Sequence, residues 1–154
     1  MLGCFAQHWE KEMAGEVRLA QLLYLIGTSR LLAKPMHAVI KGPSGAGKSE
    51  IRKQVLRFFP GGEVISFTAM SDKALIYDQR SYEHKITSMA EANAVSERHY
   101  QDYLLRELMS EGKIVYDKAH SGPGLQGSLF GNLTEIITKQ GPVSFLVTTT
   151  KKPP

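Results

Sequence analysis

Apolar residues recur along this chain in two rhythms that alternate. From Gly15 to Leu32 the positions Val17, Leu19/Ala20, Leu22/Leu23, Leu25/Ile26 and Leu31/Leu32 form a wide apolar face at helical spacing, and Pro35 stops that helix. His37-Ala38-Val39-Ile40-Lys41 is a short buried strand, followed by a second helical pattern over Ser49 to Phe59 with Ile51, Val55 and Leu56/Phe59 on one face. Pro60-Gly61-Gly62 predicts a turn and Glu63 to Phe67 a second strand. Ser71 caps a helical turn through Lys73 to Tyr77, and His84 to Met89 is a third strand. A helix capped by Ser96 runs to about Ser110 and ends at Gly112. Lys113 to Tyr116 and Leu133 to Thr138, separated by a glycine-rich tip from Ser121 to Gly131, predict a β-hairpin, and Val143 to Thr148 a final strand. Strands alternating with helices predict an α/β fold with a central, mostly parallel sheet covered on both faces.

A chain of 154 residues, 42% of them hydrophobic, suits a single domain: an N-terminal helical segment over 1–35, a core over 36–150 and the hairpin as an insert over 113–139. No run approaches the ~20 apolar residues of a membrane span, the longest being Leu19 to Ile26. Met1 to Glu12 lacks the basic start and apolar core of a secretory leader. One cysteine, Cys4, excludes an internal disulfide and any cysteine-built zinc cluster. Together these lead to the expectation of a cytoplasmic protein without a membrane partner. The formal net charge of +4 permits an anionic partner such as nucleic acid without demanding one.

The candidate chemistry lies between the first strand and the second helical pattern. Gly42-Pro43-Ser44-Gly45-Ala46-Gly47-Lys48-Ser49 satisfies G-x-x-x-x-G-K-[ST], with a strand before it and a helix after it as that motif requires. The glycines let the backbone bend its N–H groups around an anion, and the helix adds its positive N-terminal dipole. Lys48 is then expected to reach the β- and γ-phosphates of ATP, and the Ser49 hydroxyl to ligate Mg²⁺. The second diagnostic of a nucleotide hydrolase is an apolar strand ending in acidic residues. Lys85 to Met89 followed by Ala90-Glu91-Ala92 places Glu91 where a water-activating glutamate would fall, but puts Ala90 where a metal-supporting aspartate would stand. The strand over 84–89 is expected to lie directly beside the strand over 37–41.

The phosphate loop, then Glu91-Ala92, then Tyr103-Leu104-Leu105-Arg106-Glu107-Leu108-Met109-Ser110-Glu111-Gly112, the hairpin, and Phe145 to Thr150 resemble an AAA+ ATPase core of the minichromosome-maintenance-like helicases. Thr28 to Leu32 with Pro35, and Phe67 to Tyr77, look more narrowly like the ATPase portion of the primase-helicases carried by phages and integrative elements. The resemblance implies a P-loop NTPase three-layer sandwich and a ring of subunits that hydrolyses ATP to move along DNA. It matches Glu91 to the water-polarising glutamate and Thr150, with Thr149 as the fallback, to a polar sensor. It matches the hairpin to an insert facing DNA, where Lys113, Lys118 and Lys139 would meet phosphates. It also implies an arginine finger and a C-terminal lid, neither visible before Lys151-Lys152-Pro153-Pro154, hence a truncated product. Two other functions stay open: a nucleotide-monophosphate-type kinase, for which Asp78-Gln79-Arg80-Ser81-Tyr82 offers only one arginine, and a non-catalytic nucleotide-binding assembly module.

Overall fold

The computed structural model describes residues 2–68, 74–90, 99–119 and 134–150. Along the chain these form α1 (Leu2–Glu12), α2 (Val17–Thr28), β1 (Ala38–Lys41), α3 (Lys48–Leu56), β2 (Val64–Phe67), α4 (Ala74–Tyr77), β3 (Lys85–Met89), α5 (His99–Ser110), β4 (Lys113–Ala119), β5 (Thr134–Gln140) and β6 (Val143–Thr149), with 3₁₀ turns at Ser29–Leu31 and Gly61–Glu63. None of the described helices is long and apolar enough to cross a membrane.

Four strands form one parallel sheet in the order β1-β6-β3-β2. The last strand is therefore inserted between the first and the third. This corrects the expectation that the 84–89 strand lies directly beside the 37–41 strand. Val39, Val147, Met89 and Phe67 stand at one level across the sheet, so Ala90, whose N–H bonds to Phe67 O, is separated from β1 by the full width of β6. Interstrand spacing puts that separation near 10 Å. The outcome is legible in β6 itself, whose residues are almost all buried, as a central strand covered on both faces must be.

Alternation along the strands feeds two cores. Leu146, Ile86 and Ile40 pack with α1, α2 and α3 on one face, while Val143, Phe145 and Ile65 pack with α4, α5 and Ile114 of the hairpin on the other. The hairpin is a separate two-stranded antiparallel ladder running from Lys113↔Gln140 to Ala119↔Thr134; β4 runs past the predicted Tyr116 to Ala119 toward the tip, and β5 runs past the predicted Thr138 to Gln140 at the base. Its tip over 120–133 lies outside the described residues.

Two local differences at the N-terminal end have identifiable causes. The segment before Gly15 contains a full helix, α1, whose buried side chains are Phe5 and Trp9, a single i, i+4 pair. Phe5 stacks on Tyr24 with centroids 4.6 Å apart and meets Phe58 at 4.6 Å, while Trp9 Nε1 donates to Gly15 O at 2.8 Å. The second helix ends at Thr28 and tightens into the Ser29–Leu31 turn before the predicted end at Leu32. Thr28 Oγ1 donates to Tyr24 O at 2.8 Å and Ser29 Oγ to Ile26 O at 2.6 Å, and such side-chain bonds compete with helix propagation.

Candidate nucleotide-phosphate site

The loop between β1 and α3 takes its shape from glycine. Gly45 and Gly47 have φ of 78° and 73°, a region that costs an L side chain strain, and Ala46 N donates to Pro43 O at 3.3 Å to close the turn between them. Gly47 caps α3, whose first backbone bond runs from Ile51 N to Gly47 O at 2.9 Å. The N–H groups that begin α3 have no intrahelical acceptor, so the helix opens with donors and a positive dipole end toward the loop.

Lys48 is the first residue of α3, and its side chain folds back on that loop. Its Nζ donates to Gly42 O at 2.8 Å and to Pro43 O at 2.5 Å, so the ammonium is held by the carbonyl dipoles of the loop that it would serve. Gly42 keeps that stem in place: a Cβ there would come within 3.3 Å of Lys48 Cδ. Ser49 follows in the first turn of α3, exposed to the same space.

That space is an open cleft of about 360 Å³ lined by Ser44 through Glu50 from the loop and by Thr148, Thr149 and Thr150 from the end of β6. Of the residues expected to cradle phosphate, Ser44, Gly45, Ala46, Gly47, Lys48 and Ser49 line it directly, while Gly42 and Pro43 form the neck that holds Lys48. Thr150, expected as a polar sensor, lines the cleft with Thr149. The reason is strand order: Gly42 N donates to Thr149 O at 3.3 Å, continuing the β1–β6 ladder into the loop. Glu91 lies outside the described residues. Glu50 also lines the cleft and was missed; its only sequence signal is its position one residue beyond Ser49.

The donor set fits a polyphosphate with its magnesium ion. Backbone N–H groups, one ammonium and three threonines converge with no acidic residue from 44 to 49, and the Ser49 hydroxyl is a hard oxygen ligand of the type Mg²⁺ takes. Among the described residues no cluster of three or more histidine, cysteine or acidic side chains forms a separate metal site.

The hairpin lysines are differently placed. Lys139 is half-buried on the inner face and its Nζ donates to Asp78 O, so this side chain is engaged with the protein and does not project toward an outside phosphate as expected. Lys113 is exposed. The single arginine of the 78–82 segment is also committed. Arg80 bonds Asp78 through Nε at 2.9 Å and Nη2 at 2.6 Å and lies over the Phe67 ring at 4.8 Å, while Tyr82 Oη donates to Asp78 at 2.7 Å. Burial alone would raise the Asp78 carboxyl, but these bonds outweigh it and hold the group down to about 2. Burial, aided by the same bond to Asp78, pushes the Tyr82 hydroxyl above its ordinary value.

A search of the curated proteins finds no match to this chain. A family model described as the MTBMA_p00010 P-loop domain matches residues 2–90, the stretch that runs from α1 through the phosphate loop to the end of the third strand. The match covers more than half of the chain, which therefore belongs to the MTBMA_p00010 P-loop domain family, and with its loop, helix and parallel sheet has the nucleotide-binding P-loop NTPase fold.

Proposed function

We propose that this chain binds ATP with Mg²⁺ and serves as the ATPase core of a DNA helicase or primase-helicase. The observation that carries the reading is the shared cleft, in which the polar end of β6, Thr148 to Thr150, lines the same space as the phosphate loop. Hydroxyls there are suited to hold the γ-phosphate or an attacking water as charge develops in the transition state. Lys48 neutralises the phosphates, Ser49 ligates the metal, and Glu91 polarises the water. The hairpin over 113–139 faces DNA in a ring of subunits in the cytoplasm.

The kinase alternative needs a basic acceptor site, and the arginine it would use is paired with Asp78 and stacked on Phe67. A non-catalytic nucleotide-binding module is favoured by one observation, the alanine at position 90 just past the end of β3.

Hydrolysis measured with and without single-stranded DNA, beside calorimetric ATP binding, separates these readings. The helicase reading expects ATP binding, turnover raised by DNA, and at least a ~100-fold loss of turnover with unchanged binding in Glu91→Gln. Phosphoryl transfer to GMP without a DNA effect would select the kinase; tight binding with no turnover under any condition would select the module.

A further inference from the structure

The segment 17–41 contains no acidic residue, yet it exposes a strip of large apolar side chains. The helix α2 buries Ala20, Leu23 and Ile26 in the core, but Leu22 and Leu25, one turn apart, face outward. Leu31, Leu32 and Met36 extend the strip past the helix end. Ser29 draws two of them together, its carbonyl accepting Leu32 N and its Oγ accepting Met36 N, both at 2.8 Å. All five apolar side chains are 47–59% exposed. A helix that is apolar all round is ordinarily covered, and α2 carries a single charged residue, Arg18. The exposed charges of the segment, Arg18, Lys34 and Lys41, are all positive.

A second patch has the opposite sign. Tyr103, Glu107 and Glu111 follow one another at four-residue spacing along α5 and the turn that ends it, and with Lys113 and Val115 of β4 they line a cleft of about 260 Å³. Tyr103 and Val115 are more than half exposed, as is Ile136 on the same outer face of the ladder. Two carboxylates against one ammonium make the rim negative. The cleft falls short of the ~300–1,000 Å³ of a small-molecule site and suits inserted side chains. Because α2 and α5 pack on opposite faces of the sheet, the strip and the cleft cannot meet within one chain.

We propose that the chain associates head to tail with further copies of itself, the α2 strip of one copy docking in the α5–β4 cleft of the next. Leucines of the strip enter beside Tyr103 and Val115, and the basic side chains flanking them meet Glu107 and Glu111. A second copy is the occupant because every copy carries both halves of the match, apolar against apolar and basic against acidic. A contact between two different surfaces of one molecule repeats, so it closes into a ring or continues as a filament. The ring form rests on the ring of subunits proposed above and supplies its contacts; the association itself needs neither ATP nor DNA.

Sedimentation of the full chain without nucleotide decides it, using a strip variant, Leu22→Gln with Leu25→Gln, and a cleft variant, Glu107→Lys with Glu111→Lys. The wild type is expected to gain mass with concentration across the micromolar range, and each variant alone to associate at least about tenfold more weakly. Mixed in equal amounts, the variants should form a one-to-one dimer and nothing larger, since one intact strip and one intact cleft remain between them. That recovery also shows that both variants are folded. A monomeric wild type, a variant that still assembles alone, or a mixture that stays monomeric or grows beyond the dimer would each overturn the proposal. So would a monomeric wild type that binds phosphatidylserine vesicles through Leu22 and Leu25, which would assign the strip to a membrane surface. Both variants leave the phosphate cleft untouched, so calorimetric ATP binding on the same samples judges the ATP-binding reading separately.

Discussion

His37 accepts the backbone N–H of Phe145 on Nδ1 at 3.3 Å, and its Nε2 lies 3.3 Å from Met109 O, so one imidazole joins the approach to β1, the middle of β6 and the end of α5. The Nδ1 contact requires the neutral ring with its proton on Nε2. Burial lowers the His37 pKa from 6.5, and the Met109 carbonyl opposes that shift without cancelling it. Below the unfolded value the folded protein therefore binds fewer protons than the unfolded chain. The stability contributed by the neutral ring is complete above about pH 6.5 and is lost as pH falls through the lowered folded pKa. Urea midpoints taken from pH 7.5 to pH 5 should fall in the wild type and fall less steeply in His37→Gln. Parallel pH profiles would show that this imidazole is not linked to folding.

Lys48→Ala is expected to abolish Mg·ATP binding while leaving the fold in place. Among the described residues the ammonium bonds to Gly42 O and Pro43 O in an open loop, so its loss should change unfolding free energy by under about 1 kcal/mol. Calorimetry and far-UV circular dichroism on the same sample check both halves; equal ATP affinity in mutant and wild type removes the assignment of the loop.

Asp78→Asn should destabilise the protein by about 2 kcal/mol, since it discharges the partner of Arg80 and weakens the acceptor of the buried Tyr82 hydroxyl. Half of the Arg80 side chain is exposed, so most of this comes from the Tyr82 bond and not from the ion pair. Denaturant unfolding of Asp78→Asn, Tyr82→Phe and the double variant separates the two contributions. Additive effects would mean that Asp78 and Tyr82 do not act together.

Gly27→Ala tests the packing of α2 on the sheet. Alanine in a helix interior ordinarily gains about 1 kcal/mol over glycine. Here the new Cβ would sit 2.7 Å from Phe59 Cζ and 3.2 Å from Ile86 Cδ1, so the expected result is a net loss of about 1–2 kcal/mol. A higher melting temperature in the variant would mean that Phe59 moves aside without cost.

Much of this protein is written in local chemistry. The β1–loop–α3 unit was legible because glycines, Lys48, Ser49 and the flanking apolar periods act within a dozen residues, and backbone conformation there follows from residue type alone. The alternation of strands and helices likewise required a covered parallel sheet. Tertiary structure decided what depends on which segments meet. The polar run Thr148 to Thr150 reaches the cleft because β6 pairs with β1 across more than a hundred residues of sequence, a pairing that β-strand periodicity does not encode. The helix α1 exists on the strength of Phe5 and Trp9 burying in the core they share with α2 and α3, since of its apolar residues only this one i, i+4 pair is buried, and a single pair specifies no helix until a surface receives it. Lys139 and Arg80 look the same in sequence as any cation open to phosphate, and only the fold assigns them to Asp78.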